Sequence, residues 1–596
     1  MSDTHAVGGP LEQARPGARV RRSAAPARMA AFVFLVVAAS YLSAAAAGFG
    51  FVSDDFMILQ RLARTPGVQG ALAFFSQPYY DYYRPLGFLS FAVDWSFWRD
   101  WPAAYHLTSL ALHVANMWLV WALATRLAGP AAGLVAAAIF GLHPANHEAV
   151  YWMSARFDLL AACLALGSLL LLQGRSLRCA ACALLYLAAL LSKESAVAFP
   201  VVVFAYAWLI RRESPAVLLR VLAWMGGAAL VYTFLRQASG LPPAGGASRL
   251  PKLLAFAVLL GLQLALAHPG SAGVRRWMWD RRRPLAAAAA SALGALGILA
   301  AAWPPAAALR GAFASLGFAA IHLVSPVSPD RWLTPLPWWI GLAGGAAAVG
   351  VIGAASRMAS GAAPAFLAWF LAAALLPVSS MTEGPRYLYL ASVPVAIFAA
   401  RILITVLRRD SVPVRVLGAV LIAALGGQIA ARGRDWVWAS GMTAEAAAAI
   451  AQAAGPGCRG ARIVLATAPV RPRGVHANLN HEALESLAGC APEGLSTLVR
   501  TAYDTPTIDA SLREGVLTLR TRRYAGGFLT STDLRHFVVA IDKAGPTRLT
   551  NPLGPFEAVP DGSSLTIRQA LSGDDARHFI WFVFSGGELR VLTPGR

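Results

Sequence analysis

From Met29 to about residue 430, long apolar runs alternate with short polar connections; beyond that the pattern gives way to mixed, turn-rich sequence up to Arg596. The apolar runs are 29–47, 104–127, 130–142, 158–173, 179–192, 195–210, 217–235, 251–267, 285–303, 336–355, 364–378, 389–407 and 414–430. A helix of about 20 apolar residues spans the ~30 Å hydrocarbon layer, so these runs predict thirteen membrane helices. The first run also has the form of a signal peptide. Arg15, Arg19, Arg21, Arg22 and Arg28 precede it and small residues, Ser43–Gly48, close it. Its retention as a helix is the expectation adopted here. The stretch 179–210 is interrupted by Lys193-Glu194. Read as one helix, its residues would extend ~48 Å, too long for one crossing, so two short crossings are expected with Lys193 and Glu194 at the surface between them.

Composition sharpens this picture. The chain of 596 residues is 57% hydrophobic and 14% charged, against roughly 25% charged in soluble domains, which excludes a soluble enzyme and a disordered chain. Five cysteines and unperiodic glycines exclude a disulfide scaffold and collagen. Lys and Arg exceed Asp and Glu by 51 − 30 = 21. The excess falls at Arg126, Arg175/Arg178, Arg211/Arg212, Arg275–Arg283, Arg357 and Arg408/Arg409/Arg415. With alternating crossings these are all on one side, the cytoplasmic one by the positive-inside rule. Topology and anionic lipid account for the charge; no nucleic-acid motif is present and no nucleic-acid partner is expected.

The expected organisation is a basic cytoplasmic tail (1–28), a transmembrane domain (29–434) and a small α+β extracytoplasmic domain (435–596). The last has strand-like runs at Arg462–Ala466, Gly515–Thr521, His536–Ile541 and Phe579–Phe584 and an Ala-rich linker helix at Ala444–Ala454. Outside the cytoplasm a disulfide between Cys458 and Cys490 is permitted. Cys163, Cys179 and Cys182 lie in apolar runs and read as inert packing.

Ionisable groups are costly in lipid, and here they collect in the outer segments. These hold Asp54-Asp55, Tyr83-Arg84-Pro85, Tyr105-His106 with His113 two turns on, and His143-Pro144 followed by His147-Glu148. Arg156 with Asp158, Ser192-Lys193-Glu194 and Arg386-Tyr387-Leu388-Tyr389 complete the set. In this order and spacing they resemble the membrane glycosyltransferases of the GT-C type, most nearly the transmembrane-and-tetratricopeptide O-mannosyltransferases and their bacterial relatives. No tetratricopeptide pattern is visible in 435–596. The resemblance implies a polytopic α-helical fold and an inverting transfer of a sugar, mannose or another hexose or pentose, from a polyprenyl-phosphate carrier to a hydroxyl of an extracytoplasmic protein, glycan or lipid. It also implies the inner membrane of a bacterium as the location. A transporter or flippase of lipid-linked saccharides is the alternative; it would place charges near the midplane and show paired broken helices.

Such a transfer needs a base for the acceptor hydroxyl, and a carboxylate can serve. The resemblance assigns this role to the first acidic pair, Asp55 before Asp54; as plain structure the same pair is a helix N-cap. Cations must meet the departing phosphate. Arg84, Arg156, Lys193 and Arg386 are the candidates, with snorkelling at the interface as the ordinary reading and a pairing of Arg156 with Asp158 or Glu148 as another. His143 is expected to hydrogen-bond the lipid phosphate. Tyr83, His106, His113, Glu148, Asp158, Glu194 and Tyr387 are expected in support. His143, His147 and Glu148 also suggest a metal, but Pro144 breaks the helix between the histidines. No cofactor is required, and a divalent ion is compatible without being favoured. His322 reads as part of a surface-lying helix; His476, His481 and Glu482 show no supporting constellation.

Overall fold

The computed structural model describes residues 25–78, 82–172, 176–241, 318–323, 325, 363–375, 384–406, 412–477, 479–501, 506–521, 528–532, 539–541, 545–571 and 578–592. The helical part begins with α1 (Ala25–Ala46), α2 (Asp54–Arg64), α3 (Gly67–Ser76), α4 (Pro85–Trp98), α5 (Pro102–Ala128), α6 (Pro130–Gly141) and the one-turn α7 (His147–Tyr151). It continues with α8 (Arg156–Leu171), α9 (Ser176–Ser192), α10 (Phe199–Ala205), α11 (Pro215–Ala238), α12 (Ala363–Leu375), α13 (Ser392–Val406) and α14 (Val412–Ala454). Among the described residues, three helices are long and apolar enough to cross a membrane: Pro102–Ala128, Met153–Leu171 and Pro215–Ala238. Shorter apolar helices include Arg28–Ala44, Pro130–Gly141, Arg178–Ser192, Glu194–Ile210 and Ser392–Thr405. The runs 251–267, 285–303 and 336–355 lie outside the described residues. α11 leaves Leu219, Trp224, Leu230 and Phe234 exposed, and α1 leaves Phe32 and Leu35 exposed; apolar surface of this kind along a helix is stable facing lipid.

The break expected at Lys193-Glu194 is present. α9 ends at Ser192, Lys193 is extended (φ −157°, ψ 132°), and a short 3-10 turn, Glu194–Ala198, leads into α10. At the other end of the chain, α14 runs unbroken through the expected boundary at Arg434 and takes in the Ala444–Ala454 segment. Ala446, Ala447 and Ile450 are buried there, so the segment is a packed helix rather than a free linker.

The C-terminal domain contains α15 (His481–Ala488) and β1 (Arg462–Pro469), β2 (Gly494–Thr501), β3 (Ile508–Arg513), β4 (Val516–Thr521), β5 (Phe528–Thr530), β6 (Val539–Ala540), β7 (Thr547–Asn551), β8 (Gly554–Asp561), β9 (Ser564–Ala570), β10 (Phe579–Ser585) and β11 (Glu588–Leu592). One sheet has the order β11-β10-β1-β2-β5-β6, with β1 parallel to both β10 and β2; the other is an antiparallel meander, β3-β4-β9-β8-β7. The central β1 is buried on both faces, as its continuous apolar sequence requires. Ile463 and Leu465 join the core shared with the helices, while Val464 and Ala466 pack with Leu517, Phe556 and Ile567 of the second sheet. Three of the expected strand segments coincide with β1, β4 and β10; of the fourth, His536–Ile541, only 539–541 are described, and Val539–Ala540 form β6. Cys458 and Cys490 form a disulfide that ties the approach to β1 to the end of α15.

Candidate active site

The charged segments between the helices meet at one end of the helical bundle, where the C-terminal domain is seated. Prolines set up several of the positions. Arg84 precedes Pro85, which opens α4, and Arg386 follows Pro385, which opens a 3-10 turn. Proline tolerates only the first helical turn because it lacks an N–H, so each arginine is fixed beside a helix start. The turn before α2 is held differently. Ser53 has φ 51°, a left-handed conformation costly for a residue with a Cβ. Its hydroxyl lies 2.9 Å from His476 Nδ1 and its carbonyl accepts from Asn480 Nδ2 at 3.3 Å, both in the C-terminal domain.

The two aspartates that follow part company. Asp55 is fully buried; Oδ2 accepts from Val52 N–H (3.0 Å), and Oδ1 accepts from Ser154 N–H (2.9 Å) and Oγ (2.5 Å). Burial lifts its carboxyl to about 7 in spite of these donors. It ties the first loop to the segment before α8 and has no side open to an acceptor. Asp54 is exposed. Crowding by the surrounding chain raises its carboxyl, and the fields of Arg386 and Arg84, with the Ser53 hydroxyl, act against that rise.

Four ion pairs gather at this end of the bundle. Arg84 grips Glu194 through Nε (2.8 Å) and Nη2 (2.5 Å) and lies over the Tyr82 ring at 4.2 Å. Lys193 Nζ meets Asp158 Oδ2 at 2.5 Å and sits 4.7 Å from the centre of the Tyr387 ring. Glu148, fully buried, accepts from Arg386 N (3.0 Å) and Nη1 (2.9 Å) and from Arg471 Nη2 (2.8 Å). Burial alone would raise the Glu148 carboxyl; the Arg471 and Arg386 guanidiniums outweigh it and hold it at about 2. Arg386 also donates to Tyr387 Oη (2.8 Å) and stacks over Trp152 at 4.5 Å, which also stacks on the His476 ring.

Other expected members stand elsewhere. Arg156 is fully buried, paired with Asp94 (2.6 Å), donating to Tyr105 O (2.7 Å) and lying over Phe91. It closes the α4–α5–α8 packing and does not reach the open side; neither Asp158 nor Glu148 is its partner. His143 donates from Nε2 to Leu323 O (3.1 Å), while Nδ1 accepts from Ala145 N–H (3.2 Å). Burial lowers it to about 4, so it is neutral and both nitrogens are engaged. His113 is held between Tyr389 Oη (2.7 Å) and Gly141 O (3.1 Å), His106 stacks on Phe49 at 3.9 Å, and Tyr83 donates to Phe75 O (3.0 Å). His322, expected in a surface-lying helix, is buried in the helical stretch 318–323. His143, His147 and Glu148 do not converge, since His147 takes a hydrogen bond from Trp436 Nε1 (3.3 Å) and Glu148 takes the arginines.

An apolar cleft opens directly beneath the Lys193–Asp158 pair. Asp158 and Tyr387 form its polar rim. Ala161, Ala162 and Ala165 of α8 wall one side, and Ala196, Phe199, Ala373 and Ala374 the other. Positions 158, 161, 162 and 165 share one helix face, so the cleft follows that face of α8, whose alanines leave it open, with Phe199, Tyr389 and Leu390 among the larger residues that line it.

No protein-family model matches the chain. Over 82 residues, 14% of the chain, it is 40% identical to the protein O-mannosyl-transferase Tmtc1 of Drosophila melanogaster. The likeness is local. The chain spans 9% of the length of that curated relative. Two solved structures overlap it loosely. One is the Archaeoglobus fulgidus oligosaccharyltransferase tethered with an acceptor peptide containing the NVT sequon (13% identity, TM-score 0.39, 71% of this chain and 57% of that one). The other is ArnT from Cupriavidus metallidurans bound to undecaprenyl phosphate (17% identity, TM-score 0.33, 79% and 86%). At these TM-scores neither overlap is close enough to fix the fold or the chemistry.

Proposed function

We propose that this chain is an integral membrane glycosyltransferase that moves a sugar from a polyprenyl-phosphate carrier to the hydroxyl of an extracytoplasmic acceptor. One observation carries the reading: an exposed carboxylate, Asp54, lies within the fields of Arg386 and Arg84, at the end of the bundle where Tyr387 and the Lys193-paired Asp158 edge an apolar cleft. The cleft suits an isoprenoid tail and the charged rim its phosphate. In the proposed step Asp54 accepts the acceptor's proton as its oxygen bonds to the anomeric carbon. The carbon–oxygen bond to phosphate breaks with its electron pair going to the phosphate, where Arg386, Lys193 and Arg84 meet the growing charge. A single displacement inverts the anomeric centre. The polar end would then face away from the cytoplasm, in the inner membrane of a bacterium. No cofactor enters the proposed reaction.

The base is assigned to Asp54 rather than Asp55 because only Asp54 has an open side. The test is sugar transfer or release from a panel of polyprenyl-phosphate sugars by protein in nanodiscs. Asp54→Asn is expected to lower turnover by about 10²–10⁴-fold with binding of polyprenyl phosphate retained. Equal turnover of the two proteins would remove the base from Asp54. Transbilayer movement of the carrier without turnover would favour a flippase instead.

A further inference from the structure

Arg471 comes from the C-terminal domain, 29 residues beyond Met442 in sequence terms and on a loop that leaves β1, yet it ends on Glu148 beside Arg386. One carboxylate there faces two guanidiniums, each largely buried (side-chain exposure 7% for Arg471 and 14% for Arg386). Among the described residues Glu148 is the only hydrogen-bond partner of Arg471, so its remaining N–H donors are unspent. A buried positive charge without a full counter-charge is costly, and an anion entering beside it recovers that cost. Gly384 points the same way. Its φ of 174° is ordinary extended backbone, so flexibility is not what the position needs. A Cβ there would lie 3.0 Å from Arg386 Nη1, 3.1 Å from Arg471 Nη2 and 3.2 Å from the Tyr387 ring; smallness keeps the ground between the two arginines clear. The loop is pinned in place by His476, which contacts Ser53 and stacks on Trp152 at 4.7 Å.

We infer that the C-terminal domain completes the donor site, with Arg471 and Arg386 forming a two-arginine clamp on the carrier's phosphate over Gly384. This rests on the glycosyltransferase reading. Arginine suits the task because its planar fork can hold one acidic partner while presenting further donors to a second. Glu148 is the positioning residue that keeps both forks aimed in the empty state. The outer domain is therefore a working part of the site.

The experiment measures binding of a C55 polyprenyl phosphate and of the matching uncharged polyprenol to the full chain in nanodiscs. Wild type is expected to prefer the phosphate. Arg471→Gln is expected to cut that preference about tenfold or more, the usual range for one charged hydrogen bond, leaving polyprenol binding unchanged. Misfolding would lower both affinities together, so the ratio separates contact from structure. Gly384→Ala, which leaves every charge in place, is expected to lower the same ratio and serves if Arg471→Gln does not fold. A wild-type preference that survives both substitutions overturns the clamp and leaves the glycosyltransferase reading standing. No wild-type preference at all overturns both.

Discussion

Replacing Glu148 by Gln removes the centre of the buried arginine pair without changing its volume. The carboxylate is fully buried and takes three hydrogen bonds, two from Arg386 and one from Arg471. Its carboxyl is held at about 2 against an ordinary 4.5. That difference corresponds to about 3 kcal/mol at 1.36 kcal/mol per pH unit, in line with the ~3–5 kcal/mol lost when one partner of a buried ion pair is removed. Because the folded-state value is depressed, the contribution is fully present above pH ~4.5 and is lost as the pH falls toward 2. Denaturant unfolding of the protein in nanodiscs, followed by tryptophan fluorescence, reads it. Glu148→Gln is expected to lose about 3 kcal/mol at pH 7, and the gap to wild type is expected to close below pH 4.5. Adding Arg471→Gln is expected to cost less than the sum of the single changes, since one orphaned charge goes with it. A Glu148→Gln protein within about 0.5 kcal/mol of wild type at pH 7, or a gap indifferent to acid, would refute the reasoning.

Asp55→Asn loses the acceptor that faces Val52 N–H and is expected to cost about 1–3 kcal/mol in the same unfolding assay run below pH 3.8, with turnover per folded molecule near wild type. Its pH dependence has the opposite sign to that of Glu148. Burial raises the Asp55 carboxyl from 3.8 to about 7, so its contribution is full below pH 3.8 and gone above about 7, and wild type should gain on the variant as the pH falls through that range. In the cleft, Ala165→Phe is expected to raise KM for a long-chain donor about tenfold or more, each displaced CH₂ being worth ~0.8 kcal/mol. A short-chain donor should be unaffected; an equal rise for both would place the tail elsewhere.

Much of this architecture is legible in the residues themselves. The Lys193-Glu194 break follows from length alone, because no single helix could cross once with that many apolar residues. The strands at β1, β4 and β10 follow from apolar runs between glycine, proline and aspartate turns. The site is legible only as a collection. Sequence order brings Arg84, Glu148, Asp158, Lys193, Glu194 and Arg386 to one surface but does not assign partners, since pairing depends on how helices rotate against each other. Arg156 shows the difficulty: its partner Asp94 is a lone acidic residue inside the otherwise apolar α4, with nothing in the local pattern to tie it to Arg156. Arg471, and a role for His476, are not legible in the sequence for another reason, namely that contacts between separate domains leave no local pattern. The one hint was the Arg471-Pro472 dipeptide. Its arginine has φ −133° and ψ 60°, nearly the −132° and 53° of Arg84 before Pro85. The same dipeptide at Arg15-Pro16 and Arg283-Pro284 makes that hint weak.

α14 has 43 residues, which at ~1.5 Å each gives an unbroken rod of about 65 Å. It packs both on α1 and on α15. Such a rod works as a ruler: it sets the distance of the sheets from the helical bundle and allows no pivot near Arg434. Under the proposed function an acceptor would enter sideways, through whatever gap that fixed distance leaves. The size of substrate admitted would accordingly change with helix length, one turn of insertion or deletion at a time, rather than with any motion of the domain.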